Sequence, residues 1–167
     1  AVCHVSAAHA LDAVPFASGV VVEGLGASAT CTACHQGRAS GDAVARATAD
    51  LPEDTVSADL RFVNVHYGIA AATLRGADVR AGFHYPERAY AGRFAHAPGA
   101  RTCVDCHEPH TTRVDEASCA TCHDDASDIR AIRLGRTDYD GDGEIAGGVR
   151  AEIAGLREAL YRAIRAY

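Results

Sequence analysis

The chain has 167 residues, a formal net charge of −6 and 48% hydrophobic residues, yet only 6% are aromatic, with no Trp or Met. This length suits one ordinary domain or two small ones, and the acidic balance argues against nucleic-acid binding, which draws on basic patches. No stretch approaches the roughly twenty apolar residues of a membrane span; the best candidate, 14–22, is interrupted by Pro15, Ser18 and Gly19.

Much of the hydrophobic content is Ala, which buries little area per residue. A conventional core would be thin, and the loops rich in Gly, Ala and Asp are long for a compact fold. A large, flat apolar cofactor would supply the missing burial. All 16 basic residues are Arg, whose guanidinium fork matches a carboxylate bidentately, so some of them are candidates to pair with acidic groups of such a cofactor. No basic segment precedes an apolar stretch, so the expectation is a mature exported form, or a fragment, with any signal peptide already removed.

In chain order, the first feature is Ala1-Val2-Cys3-His4, followed by His9. Next comes Cys31-Thr-Ala-Cys34-His35, the first of three complete Cys-x-x-Cys-His motifs; the others are Cys103-Val-Asp-Cys106-His107 and Cys119-Ala-Thr-Cys122-His123. This pattern reads as covalent attachment of c-type haem. Two thiols form thioether bonds to the vinyl groups, and the adjacent His binds iron from one face. Six of the seven cysteines are thereby used, and Cys3-His4 reads as a truncated or single-thioether fourth site. The alternatives for Cys3 are a free thiol or an intermolecular disulfide.

Between the first and second motifs, the spacing of Val63, His66, Ala70 and Leu74 predicts a helix over 59–74, capped by Asp59, with His66 on its apolar face. The segment 83–96 then reads as a hairpin turning near Pro86-Glu87-Arg88. Its alternation places Tyr90, Phe94 and His96 on one face, and sends His84 away from Phe83 and Tyr85, toward solvent. After the second motif, His110 follows His107 at a helical spacing of three, which keeps both on one side. His110 should therefore serve a different iron from His107.

Ligand arithmetic follows. Without Met or Lys, the second axial ligand of each iron must be His. Of the nine His, four follow haem cysteines as proximal ligands: His4, His35, His107 and His123. His9, His66, His96 and His110 are the expected distal ligands, and His84 is the spare, with ligation in a neighbouring subunit as its competing use. Zinc ribbons also use Cys-x-x-Cys pairs, but zinc does not explain a His after every pair. A thioredoxin-like dithiol needs a βαβ pattern, and none is visible.

Beyond the last motif, Asp138, Asp140 and Asp142 occupy positions 1, 3 and 5 of an EF-hand-like loop, with Gly143 at the sharp turn and the Glu144 carbonyl as the next oxygen donor. Val149 stands where the bidentate Glu belongs, and Glu152 is the nearest substitute. A structural calcium ion and a solvated acidic turn are the two readings of this loop. A helix over 148–166 follows, with an apolar stripe of Val149, Ile153, Leu156, Leu160 and Ile164. Docking of that stripe within the chain is the default expectation; a haem core or a partner subunit are its candidate surfaces.

These residues together make the chain resemble the small tetrahaem c-type cytochromes with bis-His ligation. The resemblance rests on the three motifs, the Cys3-His4 remnant, and Cys106-His107-Glu108-Pro109-His110; Asn64-Val65-His66, 90–96 and 138–154 add less specific likeness. It implies a mainly irregular and α-helical multihaem cytochrome c fold, with short helices and a small hairpin wrapped around stacked haems. A haem-binding region over 1–136 would be followed by the acidic loop and C-terminal helix over 137–167, the two acting together or apart. Some relatives polymerise into extracellular filaments, in which a His can ligate across subunits. The expected function is thus electron transfer rather than catalysis, through closely packed low-potential haems. A subunit of an extracellular haem wire is favoured over a soluble periplasmic shuttle or an electron-transfer fragment or subunit of a multihaem reductase. The partners would be copies of itself or other multihaem cytochromes, at the cell surface, outside the cell or in the periplasm.

Overall fold

The computed structural model describes residues 4–66, 68–94, 96–123 and 128–167. Cys3, assigned above to a fourth haem site, lies outside the described residues. The chain divides into two compact units, 1–106 and 107–167.

In the first unit, α1 (Ser6–His9) leads to an antiparallel pair of two-residue strands, β1 (Val14–Pro15) and β2 (Val21–Val22), in register Val14↔Val22 and Pro15↔Val21. Gly19, at φ +86°, makes the turn, and Phe16 N–H donates to the Val20 carbonyl at 2.8 Å. The stretch too short and interrupted for a membrane span is thus a small hairpin. Asp12 ties the entry of the hairpin to a 3-10 turn, Gly26–Ser28, by accepting from Gly26 N–H at 2.8 Å. Helices α2 (Ala29–His35), α3 (Gly41–Thr48), α4 (Ala70–Arg75) and α5 (Cys103–Cys106) complete the unit, with a second 3-10 turn at Gly76–Val79.

The buried core consists of Val14, Phe16, Leu25, Ala29, Ala71, Ala72 and Val79. Three of these seven are Ala, so little apolar area is buried there, as the composition implied. Polar ties compensate at the rim: Ser18 Oγ donates to the Val79 carbonyl at 2.7 Å, and Arg80 bridges Asp42 at 2.9 Å and the Ser18 carbonyl at 2.8 Å.

Two sequence expectations fail in this unit. The helix expected over 59–74 exists only as α4, and His66 lies outside it with φ +74°. Asn64 Oδ1 accepts the His66 N–H at 2.8 Å, and Gly68 sits at φ +65°; both divert the backbone from helical geometry. The hairpin expected over 83–96 also gives way: its described residues form no paired strands. A turn remains, with Glu87 at φ +64° and Arg88 N–H donating to the Tyr85 carbonyl at 3.3 Å. Tyr90 folds back instead, its hydroxyl accepting from Tyr85 N–H at 3.0 Å.

In the second unit, an isolated bridge joins His107 to Val114, and Glu108 N–H donates to the Arg113 carbonyl at 2.9 Å. Helix α6 (Glu116–Cys119), a 3-10 turn at Ile129–Ala131 and helix α7 (Val149–Ala166) follow. Two glycines let α7 come close to its neighbours. A Cβ at Gly148 would stand 1.9 Å from the Arg130 carbonyl oxygen, and one at Gly155 only 1.5 Å from Asp140 Oδ2. The apolar stripe lies on the surface of this unit, with Val149, Ile153, Leu156, Leu160 and Ile164 43–64% exposed. No helix among the described residues is long and apolar enough to cross a membrane.

Candidate haem-attachment sites

Both cysteines and the His of the first motif lie on one helix, the two cysteines of the second bound one, and the first Cys of the third ends one. Residues at i, i+3 and i+4 share a helix side, so both thiols and the His of a motif on one turn can address one ligand. Cys31, Cys34 and His35 close α2, which Thr32 anchors by donating from Oγ1 to the Ser28 carbonyl at 2.9 Å. Cys103 and Cys106 bound α5, whose start is held by Asp105. Its carboxylate accepts from Thr102 N–H at 2.7 Å and Arg101 N–H at 2.9 Å, which holds Asp105 below its ordinary pKa. Cys119 ends α6, and the His123 N–H returns to the Cys119 carbonyl at 2.9 Å. In all three motifs the first Cys is half-buried and the second exposed. The second Cys is thus the more accessible of the pair in every motif.

The proximal His candidates carry the most informative contacts. His35 Nδ1 bonds the Gly68 carbonyl, and His107 Nδ1 lies 2.9 Å from the Thr112 carbonyl. A carbonyl only accepts, so the proton must sit on Nδ1 in both rings. In the neutral ring Nε2 then carries the lone pair, the tautomer that a metal-ligating His requires. Neither acceptor was foreseen, because a backbone carbonyl has no residue-type signal; Gly68 was visible only as a glycine near His66.

Among the distal candidates, His9 and His4 have ring centroids 5.8 Å apart at 51°. His66 is half-buried, and His110 is exposed in a turn. The helical spacing assumed for His107 and His110 does not hold, since α5 ends at Cys106 and the chain bridges at His107. Pro109 disfavours helix at the residue before it, and the Glu108 carboxylate instead gathers His110 N–H at 3.0 Å and Thr111 N–H at 2.5 Å. Those two backbone donors lower the Glu108 pKa to about 2. Glu108 Oε1 also lies 3.2 Å from His110 Nδ1, a carboxylate-oriented imidazole. His96 is exposed. His84 does not simply look to solvent: it is half-buried and stacks on Tyr90, centroids 4.3 Å apart at 7°.

One basic feature went unnoticed in the sequence. Arg75 is half-buried, and its pKa is lowered by that burial and by Arg93, with Asp78 and Cys103 partly opposing. The neighbouring Arg75 and Arg93 guanidiniums suit a carboxylate ligand, and Arg75 also feels Cys103.

In the acidic loop, Asp138, Asp140 and Glu152 each bring a carboxylate oxygen within 4.8 Å of the others. The Asp142 carboxylate is not part of this group; its Oδ1 accepts instead from Glu144 N–H at 2.7 Å. Gly143 N–H donates to Asp138 Oδ2 at 2.9 Å, bending the loop around that side chain. Glu152, 3% exposed, pairs with the Arg133 guanidinium and accepts from Tyr139 N–H at 2.6 Å. The Arg133 hydrogen bond, then the Tyr139 one, hold Glu152 below its ordinary pKa. Burial and the charges of Asp142, Glu152 and Asp138 push Asp140 up. The donor set fits a hard cation through Asp138 and Asp140, while Arg133 already neutralises Glu152.

No family model matches the chain, and neither the curated proteins nor the solved structures contain a match to it.

Proposed function

We propose that this protein transfers electrons through c-type haems attached at Cys31/Cys34, Cys103/Cys106 and Cys119/Cys122, with a fourth at Cys3. His4, His35, His107 and His123 would be the proximal ligands, and His9, His66, His96 and His110 the distal ones. The observation that carries this reading is the pair of Nδ1-to-carbonyl bonds at His35 and His107. In a neutral ring each leaves Nε2 as the nitrogen able to take a metal, in a motif with two thiols at attachment spacing. Zinc-ribbon cysteines need no such imidazole.

Haem held at these residues would supply one-electron redox chemistry. The work of the chain is to hold and tune. Cysteine pairs on one helical turn fix the ring, and the backbone carbonyls of Gly68 and Thr112 orient the imidazoles and raise their basicity. Proximal and distal His ligands without Met would give low potentials and leave no ligand position for substrate, which favours electron transfer over reduction of a bound substrate. Asp138 and Asp140 would hold calcium as a structural element near the start of α7. The exposed stripe of α7 supports self-association, and with it a filament subunit rather than a soluble shuttle.

The deciding experiment is mass spectrometry of the purified holoprotein with a pyridine haemochrome assay. Four covalent haems are expected; a colourless, zinc-containing protein overturns the proposal. Electron microscopy of native material separates filament from dispersed monomer.

A further inference from the structure

We infer that His66 ligates a haem iron other than the one held by Cys31, Cys34 and His35, so that one short segment serves two irons. The inference rests on the haem reading above and goes on to assign one of its distal ligands.

The segment carrying His66 is fastened to the first motif on both sides. On one side, the Gly68 carbonyl accepts from His35 Nδ1, and a Cβ at Gly68 would lie 3.3 Å from that nitrogen. On the other, the Val65 carbonyl accepts from Arg38 N–H at 3.2 Å, and it would stand 3.3 Å from a Cβ at Gly37. His66 is thus bracketed by bonds to 35–38. Its own backbone is held at φ +74° by the Asn64 side chain. For a non-glycine residue such a conformation persists where its surroundings impose it.

The direction of His35 decides the rest. With Nδ1 committed to Gly68, His35 meets iron through Nε2, on the other edge of the ring. The Gly68 carbonyl therefore lies behind His35 as seen from that iron. A distal ligand for the same iron must come from the opposite face, past the imidazole, the iron and the porphyrin. Two residue steps separate Gly68 from His66, a span of at most about 7 Å, and Val65 has already returned to the His35 side. The chain has no length to pass round the ring edge.

The test uses the holoprotein and its His66→Ala variant, read by electron paramagnetic resonance and paramagnetically shifted proton NMR. One haem is expected to turn from low to high spin and to revert with added imidazole. The haem bearing the Cys31 and Cys34 thioethers is expected to stay low spin. If that haem is the one that changes, or if none changes, the inference is overturned while the haem reading stands. Absence of covalent haem from the parent protein overturns both. Should the variant not fold, Overhauser contacts of the His66 ring in the parent holoprotein decide: contacts to a haem other than that on Cys31 support the inference, and contacts to that haem overturn it.

Discussion

Cys103 donates its backbone N–H to Ser28 Oγ at 3.0 Å, which ties the start of the second motif to the turn that precedes the first. Ser28 is buried, and its carbonyl also accepts from Thr32 Oγ1 inside α2. One small side chain therefore sets the relation of two cysteine-bearing helices. Ser28→Ala would leave the Cys103 N–H without its acceptor, at a cost of about 1–3 kcal/mol. Urea denaturation of the holoprotein, followed by circular dichroism, should show that loss; an unchanged midpoint would remove the tie's importance.

Under the proposed function, Gly68→Ala is expected to disturb the haem at Cys31 and Cys34 specifically. A Cβ there must adopt φ +65° and stand 3.3 Å from His35 Nδ1. The left-handed backbone alone costs a non-glycine residue on the order of 1 kcal/mol. The weakened carbonyl contact should lower the basicity of His35 and raise the midpoint potential of one haem, measured by spectroelectrochemistry. Potentials that all stay in place would count against the His35–Gly68 bond.

Glu108 links acid stability to the His110 turn. Its folded pKa, about 2, lies below its ordinary value of 4.5, because the Thr111 and His110 N–H groups favour the carboxylate. Its contribution is therefore complete above that ordinary value and is lost as pH falls through about 2. Carbon-13 NMR titration of the Glu108 carboxyl should place its midpoint there. In Glu108→Gln, the part of the acid transition due to this group should vanish.

The loop before α7 makes the opposite pH demand. Asp140 is pushed up by burial and by its acidic neighbours, so its ionisation opposes folding as pH rises through its ordinary range. In chelator at neutral pH, Asp140→Asn should raise the Tm, since the amide keeps an oxygen for the Asp142 N–H. Calcium should raise the Tm of the parent protein but not of the variant. Equal responses to calcium would exclude Asp140 as a ligand.

The parts of this protein visible in its sequence are those whose signal is a residue type at fixed spacing. The three motifs and the stripe of α7 are of this kind, and Glu152 was visible as a nearby carboxylate. The helix expected over 59–74 shows the limit. Its apolar spacing is real, but the Asn64 side chain captures the His66 N–H and Gly68 turns the chain, so local side-chain chemistry overrides periodicity. Alternation misled in the same way at 83–96, where His84 and Tyr90 stack instead of belonging to paired strands. Conversely, 14–22 carries the turn residue Gly19 and becomes the one sheet among the described residues.

The acceptors that orient His35 and His107 are main-chain carbonyls. Replacing the side chain at Thr112 leaves its carbonyl in place, so alanine there would pass over one half of the His107 contact in silence. Ordinary substitution can therefore tune these imidazoles, the proposed ligands, through their acceptors only by the shape of the loops that carry them. Direct removal of either acceptor calls for altered backbone chemistry, with a group other than an amide at Gly68 or Thr112.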